Sequence, residues 1–541
     1  MLACLPEELH IRETPPPRAT HVTSLPPELQ ALTRPEAYAH PVDVVELIET
    51  HISWVLLAGE FAYKIKRPVC YPFLDMRSAE RRRFLCEEEL RLNRRFAPQL
   101  YLRVCQVVAH TGGARMDAEG AVLAHAVQMR RFDPLQQLDR LLERRRVEPY
   151  ELEQFGRSLA LVHERLPAVP SAALWGRPQH VRQLVLRNAQ ECAAAAGGFG
   201  DGARVEAVRE RLEQQLPAAA AGMASRRASG CVRECHGDLH SRNIVRLAGR
   251  LSAFDCIEFE PNFRWIDVAE EIALLEVDLA ARERPLHAHA FRSGYLSQSG
   301  DYGACRLLRL YEAHRALVRA KVAALSAAGA AAAAEAWRAE YDRLLGCAQR
   351  ALEPQSPRLV LTCGLAGSGK TWLARALAPR LDAVHVRSDV ERKRLAGLPQ
   401  LARTHSQAGA GLYSQRLSEQ LYARLADIAQ QILGGGYSVI IDASFARRAH
   451  RALLQQVARH LGLPTTLIYC QAPLAVLRTR IKSRAQERRD PSEADEAVLN
   501  WQLQHFESLS PEEDLEVVHL TSSDGQAFEQ LCRLLGPGLC R

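Results

Sequence analysis

Lysine is scarce in this chain. Of its 70 basic residues only six are lysine, at positions 64, 66, 321, 370, 393 and 482. Arginine fills nearly every other basic role, so a retained lysine marks a place where a compact ammonium serves better than a planar guanidinium. Aromatic residues make up 6% of the 541 positions, and no apolar run approaches the ~18 uncharged residues that a membrane-crossing helix needs. The fourteen cysteines are scattered singly from Cys4 to Cys540 without a CxxC pair, and the chain is far longer than disulfide-stapled domains are, which points to reduced, mostly structural thiols. Charge of one sign is also lacking: 70 basic against 63 acidic residues leave +7, spread along the chain. Nucleic acid is therefore not an expected partner, and neither is a membrane. The opening MLACLPEELHIRETPPPR is acidic where a secretory signal would be basic and then apolar. The expectation is a cytoplasmic protein with reduced thiols, and nothing in the composition specifies its oligomeric state.

What is present divides into two architectures. Residues 1–40 are proline-rich and lack a sustained period, which predicts a loosely attached leader. HISWVLLAGEFAYKIKRPV then reads as two strands about a Gly-Glu turn, SAERRRFLCEEELRLNRRFA as an amphipathic helix, and LYLRVCQVVAH and AHAVQMRRF as further strands. Beyond Leu135 the pattern is helical, with Ala/Gly-rich interruptions expected at 193–204 and 217–230 and an exposed helix through the alanines at 327–336. Strand signal returns at ECHGDLHSRNIV and LSAFDCIEF. The proline-bounded joint LEPQSPRL, at 352–359, opens a different region. There RLVLTCG, AVHVRSD, YSVIIDAS, TTLIYCQA and LEVVHLTS alternate with helical stretches, predicting a parallel sheet of βαβ units. Domains are expected at 41–350, α+β, and 357–541, α/β.

The strongest motif is GLAGSGKT: Gly364, Leu365, Ala366, Gly367, Ser368, Gly369, Lys370 and Thr371. It matches G-x-x-x-x-G-K-[ST], follows an apolar strand and opens a helix, as a nucleotide-phosphate loop must. Glycines let backbone amides wrap phosphate oxygens, Lys370 reaches the β/γ-phosphates, and Thr371 offers its hydroxyl to Mg²⁺. Asp442, closing VIID, is the expected second Mg²⁺ ligand. Asp389, closing HVRSD, is followed by Arg392 one helical turn later. These residues resemble the P-loop kinases of the zeta-toxin and polynucleotide-kinase kind. The resemblance implies that Asp389 deprotonates a hydroxyl acceptor and that Arg392 helps to hold it. It also implies that RTRIKSRAQERR, at 478–489, is a lid whose arginines, Arg484 and Arg478 first, close on the triphosphate.

A second phosphotransferase pattern lies at 236–243, HGDLHSRN, with Asp255 twelve residues beyond Asn243. Asp238 can accept a hydroxyl proton, while Asn243 and Asp255 can hold Mg²⁺ on the phosphates of ATP. This resembles the aminoglycoside phosphotransferase branch of the protein-kinase-like fold. That fold implies a strand lysine paired with a helix glutamate, here Lys64, better centred in its strand than Lys66, with Glu88 favoured over Glu87 and Glu89. It also implies an adenine-binding hinge at 128–132 and Asp267 as the brace of the catalytic loop, with His240 structural. No protein-kinase glycine loop is present beyond LAGE, and 150–230 matches no acceptor pocket. Both halves together resemble a bacterial group of two-domain proteins that join an aminoglycoside-phosphotransferase-like domain to an AAA-family ATPase domain. The function implied is a bifunctional ATP/Mg²⁺ phosphotransferase acting on small-molecule hydroxyls. The alternative is a nucleotide-sensing first domain that controls the second.

Overall fold

A computed structural model describes residues 25–521, apart from 72–73, 330–332, 405, 407–409 and 488–489, together with 528, 529 and 531. The chain divides into two compact units. The first comprises residues 1–291 and 310–352, and the second 292–309 and 353–541.

The first unit opens with a six-stranded antiparallel sheet. Its strands are β1 (Val45–Glu49), β2 (Ser53–Ala58), β3 (Phe61–Lys66), β4 (Tyr101–His110), β5 (Gly113–Met116) and β6 (Val122–Arg130), in the order β1-β2-β3-β6-β4-β5. The period-2 alternation of β3 sorts its side chains between two environments. Tyr63 and Ile65 join one apolar cluster, while Lys64 and Lys66 face the helix α1 (Ala79–Asn93), whose N-terminus Ser78 caps.

That apolar cluster corrects the expected loose leader. Leu25, Leu29, Leu32, Ala37 and Tyr38 are buried against Trp54, Leu56, Tyr63 and Val107, and Tyr38 donates its hydroxyl to Leu32 O at 2.7 Å. The prolines do not loosen this segment; they open two short 3₁₀ turns, Pro27–Thr33 and Pro35–Ala37, that cover the outer face of the sheet. The part of the expected leader before Leu25 lies outside the described residues.

Beyond the sheet the unit is mainly helical: α2 (Pro149–Arg165), α3 (Pro178–Ala196), α4 (Gly202–Ala228) and α5 (Val268–Ala281). The expected interruption at 217–230 is absent; α4 runs through Pro217 to Ala228, since alanine sustains a helix better than any other residue. The alanines at 327–336 straddle two helices, Cys305–Gly329 and Ala334–Ala351, where one exposed helix was expected; Ala327 is buried, and 330–332 lie outside the described residues. Four short strands interleave with the helices: β7 (Val232–Glu234), β8 (Ile244–Leu247), β9 (Arg250–Ala253) and β10 (Trp265–Asp267). Two antiparallel pairs result, β8 with β9 and β7 with β10, and they frame the loop 236–243.

The second unit contains the expected parallel sheet. Its strands are β11 (Leu359–Cys363), β12 (Val384–Arg387), β13 (Val439–Asp442), β14 (Thr465–Gln471) and β15 (Glu516–Thr521), ordered β12-β13-β11-β14-β15 and parallel throughout. β11 is buried along its whole length, as a central parallel strand must be. Among the described residues, six helices accompany the sheet: α6 (Lys370–Leu377), α7 (Ser388–Leu395), α8 (Gln415–Gly434), α9 (Arg448–His460), α10 (Leu474–Glu487) and α11 (Glu496–His505).

Sequence patterning did not anticipate that residues 292–309, well before the proline joint, fold within this second unit. Their anchor is α7. Tyr302 donates to Glu391 at 3.2 Å, and Arg394 donates to Ser297 O at 2.6 Å. An added Cβ at Gly435 would stand 2.2 Å from Cys305 O, so only glycine permits this approach.

Leu32→Ala will destabilise the first unit by about 2–5 kcal/mol in urea denaturation, the cost of a cavity in a packed core. A segment merely tethered to the sheet would give a change near zero.

Candidate functional site

Parallel pairing places Thr362, Arg387 and Asp442 in one row across β11, β12 and β13, so the sheet delivers its chemistry to one edge. Gly364, Gly367 and Gly369 all have positive φ, at 136°, 80° and 94°. A Cβ on Gly364 would lie 2.3 Å from Cys470 O, so the loop needs glycine for space as well as for conformation. Lys370 turns back over the loop, donating to Gly364 O at 2.9 Å and Leu365 O at 2.7 Å. Burial pulls its pKa down, opposed chiefly by Asp442. The amide of Ala366 is donated to Gln502 Oε1 at 2.8 Å, a contact from α11 that no sequence motif announces.

Asp442 is 5% exposed. Burial raises its carboxyl, but His385 at 3.2 Å, Arg387 at 3.8 Å and a hydrogen bond from Thr371 outweigh this and hold it below the usual carboxylate range. Asp389 lies in the first turn of α7, whose N-cap is Arg387, so it is not the cap of its helix. Its carboxylate is half-buried and accepts no hydrogen bond from any described residue. Arg392 donates to Leu412 O at 2.8 Å and to Ser418 at 3.2 Å, beneath the ring of Tyr413.

These residues line one cleft of about 420 Å³, shared by Gly367, Gly369, Lys370, Thr371, Asp389, Arg392, Asp442 and Arg484. Arg484 is tied to Ala494 O at 2.8 Å. Arg478 does not reach the cleft; it pairs with Glu496 at 3.0 Å, both side chains 45% exposed. Two residues along α10, Arg480 takes the inward place and donates to Gly367 O at 3.3 Å. Arg387 ties the strand edge to the region after α10 through Asp490, at 2.9 and 3.0 Å. The end of the expected lid, 488–489, lies outside the described residues.

In the first unit, the pairing of strand lysine with helix glutamate differs by one residue from expectation. Glu89, 0% exposed, holds Lys64 at 2.9 Å and Lys66 at 2.5 Å. Glu88 instead accepts two hydrogen bonds from Arg91, both 2.8 Å, and lies 3.7 Å from Arg264. One residue along a helix turns a side chain by about 100°, enough to exchange the buried face for the rim. Lys64 also meets Asp255 at 2.5 Å, and Lys66 meets Glu258. Burial opposes both ammonium groups, yet these carboxylates raise their pKa values.

Asp238, Asn243 and Asp255 are brought together. Asn243 donates to the Asp238 carboxylate at 3.2 Å and to its carbonyl at 3.0 Å, and Phe254 N–H donates to Asn243 O at 2.9 Å. Burial raises the Asp238 carboxyl, but the His240 ring at 3.3 Å more than compensates and holds it below its ordinary range. Asp255 sits at φ 65°, its turn fixed by the Tyr101 hydroxyl at 3.1 Å and by Asn93, which accepts from Cys256 N at 2.9 Å.

The expected brace of the loop, Asp267, is otherwise engaged: it takes Arg226 bidentately at 2.8 Å and caps α5. Glu271 and Asp278 of α5 do the bracing, accepting from His236 N at 2.7 Å, Gly237 N at 3.0 Å and Ser241 N at 2.9 Å. Burial pushes Glu271 up to about 7. In the expected hinge, the amides of Arg130 and Arg131 are spent on Leu100 O and Glu60 O, each at 2.8 Å. His163, Cys235 and Glu271 have ligand atoms within 4.8 Å of one another, but both Glu271 oxygens serve backbone amides, which makes the trio a packing cluster.

Among known proteins, an AAA domain family model matches residues 359–509. The uncharacterized protein Rv2004c of Mycobacterium tuberculosis is 30% identical over 486 residues, covering 88% of this chain and 95% of that one. An adenylyl-sulfate kinase of Myxococcus xanthus is 30% identical over 147 residues, 27% of this chain and 70% of that protein. A sugar kinase of Janibacter sp. HTCC2649 aligns with a TM-score of 0.27 at 22% identity, over 34% of this chain and 99% of that one. By the family model and the match to the adenylyl-sulfate kinase, the region 359–509 is a kinase-like P-loop domain.

Glu89→Gln will destabilise the first unit by about 1–3 kcal/mol, since it removes the buried carboxylate that bridges Lys64 and Lys66 and leaves each ammonium with a single partner. Glu88→Gln will cost no more than about 1 kcal/mol, as expected for a pair with an exposed arginine. Urea denaturation of the two variants side by side checks the assignment, and equal losses would reinstate Glu88.

Proposed function

We propose, for a chain that belongs to the same family as the uncharacterized protein Rv2004c of Mycobacterium tuberculosis, that the second unit transfers the γ-phosphoryl group of ATP to a hydroxyl of a small molecule. The observation that carries this reading is a single cleft holding the phosphate loop, the buried Asp442, and Asp389, whose carboxylate accepts no hydrogen bond from a described residue. The Thr371 hydroxyl and the Asp442 carboxylate, already hydrogen-bonded to each other, form an all-oxygen donor pair that suits Mg²⁺. When bound, that ion supplies charge neutralisation on the phosphates.

The remaining work falls to the chain. Lys370 exchanges its loop carbonyls for phosphate oxygens, and the loop amides hold the phosphates in place. Asp389 accepts the acceptor's hydroxyl proton as the acceptor oxygen bonds to the γ-phosphorus. The bond from that phosphorus to the bridging oxygen breaks, and its electron pair leaves on ADP. Arg480 and Arg484 stand where charge develops on the transferred group. The eleven described cysteines are all unbridged, in keeping with a cytoplasmic site of action.

For the first unit we infer an aminoglycoside-phosphotransferase-like, protein-kinase-like domain. In it Asp238 accepts a hydroxyl proton, Asn243 and Asp255 are the Mg²⁺ ligands, and Lys64, supported by Glu89, meets the phosphates. A second reading has its own support. Asp238 is engaged by Asn243 and His240, and Asp255 by Lys64. A site so closed on itself suits a nucleotide sensor that controls the P-loop unit without transferring phosphate.

Lys370→Ala will abolish transfer by the second unit, while Asp389→Asn will lower kcat by about 10²–10⁴. Calorimetry will find ATP affinity unchanged in Asp389→Asn; undiminished turnover in that variant defeats the assignment. Transfer that persists in Lys370→Ala and disappears on adding Asp238→Asn identifies an active first unit. ATP binding without transfer in Lys370→Ala identifies the sensor.

A further inference from the structure

We propose that the acceptor of the P-loop unit is a small hydroxylated anion, a metabolite that carries a phosphate, sulfate or carboxylate group beside the hydroxyl to be phosphorylated. The proposal rests on the kinase reading above and specifies its substrate class.

Five cationic side chains line the cleft, Lys370, Arg392, Arg447, Arg480 and Arg484, against two carboxylates, Asp389 and Asp442. Lys370, Arg480 and Asp442 stand at the phosphate-loop end, whereas Arg484 acts on Tyr413, the ring that packs on Arg392. Lys370 and Arg480 bond to carbonyls of the loop itself, and Arg484 to Ala494 O. Arg392 and Arg447 line the rest of the cleft together with Asp389, its one lining carboxylate besides Asp442.

Neither guanidinium is satisfied internally. The Nε of Arg392 is buried without a hydrogen-bond partner, although one terminal nitrogen, Nη1, donates to both Leu412 O and Ser418. Arg447 stands at the N-cap of α9, half-buried, and its side chain forms no ion pair or hydrogen bond with any described residue. Between them the wall is neutral. Tyr422 and His450 stack at 3.7 Å and 15°, and burial, with Arg447 nearby, pushes His450 down to about 4.

A neutral acceptor would leave both guanidinium groups facing one carboxylate, and that carboxylate loses its charge when it takes the hydroxyl proton. An oxyanion on the acceptor fills the open donors and balances the charge throughout transfer. A site built to hydrogen-bond such a group rejects analogues that lack it, because buried donors are then left unpaired.

The test uses the full-length chain with Mg²⁺ and γ-labelled ATP. Small metabolites of a cell extract are divided beforehand on an anion-exchange resin into a retained, anionic fraction and a neutral flow-through. Label will pass to acceptors of the retained fraction. Arg447→Gln will raise the KM of the labelled acceptor by roughly 10- to 100-fold and leave the KM of ATP unchanged, with partial rescue in Arg447→Lys. Labelling of acceptors in the flow-through alone overturns the proposal and leaves the kinase reading standing, as does an acceptor KM indifferent to Arg447→Gln. Label passing to neither fraction overturns the kinase reading, and the proposal falls with it.

Discussion

The second unit depends on the register of three parallel strands. Because Thr362, Arg387 and Asp442 share one row, the central strand releases its loop beside the carboxylate that its neighbour delivers. A slip of one residue in β13 would turn Asp442 to the opposite face of the sheet and replace it with an aliphatic side chain. Burial keeps the register honest: Leu359–Cys363 and Val439–Asp442 are enclosed along their whole lengths, so no alternative pairing leaves the apolar set covered. The positions of Lys370, Thr371 and Asp389 follow from this row, since α7 begins where β12 ends and only the phosphate loop separates β11 from α6.

The first unit solves a different problem, that of holding two lysines away from water. Lys64 and Lys66 lie on the same face of β3, and like charges that close would repel in isolation. Glu89 bridges them, while Asp255 and Glu258 take one each, so three carboxylates enclose two ammonium groups. The two units thus contrast in how they hold their working acids. Asp238 and Asp255 are hydrogen-bonded to protein partners, whereas among the described residues none donates a hydrogen bond to the Asp389 carboxylate.

The second unit was largely legible in the sequence. All five strands and the phosphate loop lie where their apolar runs and glycines place them, because parallel strands buried on both faces have little freedom in composition. Local patterning failed where the deciding partner is distant. Glu87, Glu88 and Glu89 are alike in type, and only the packing of α1 on β3 selects the last. Asp267 resembles a loop brace, but Arg226 claims it from 41 residues away. The prolines before residue 40 suggested looseness because a 3₁₀ turn has no periodic signature, although its leucines are buried as deeply as any in the sheet. Arg480 and Arg478 differ only in the face of α10 they occupy, which is decided by where that helix rests on the phosphate loop.

The hairpin at 292–309 bears on how the protein is made. Tyr302 must wait for Glu391, and Arg292 for Asp382, since both partners are synthesised later. At about 5–20 residues per second, a stretch of this length takes a ribosome several seconds. For the later part of that interval the segment has left the exit tunnel with Tyr302 and its carbonyl acceptors unmatched.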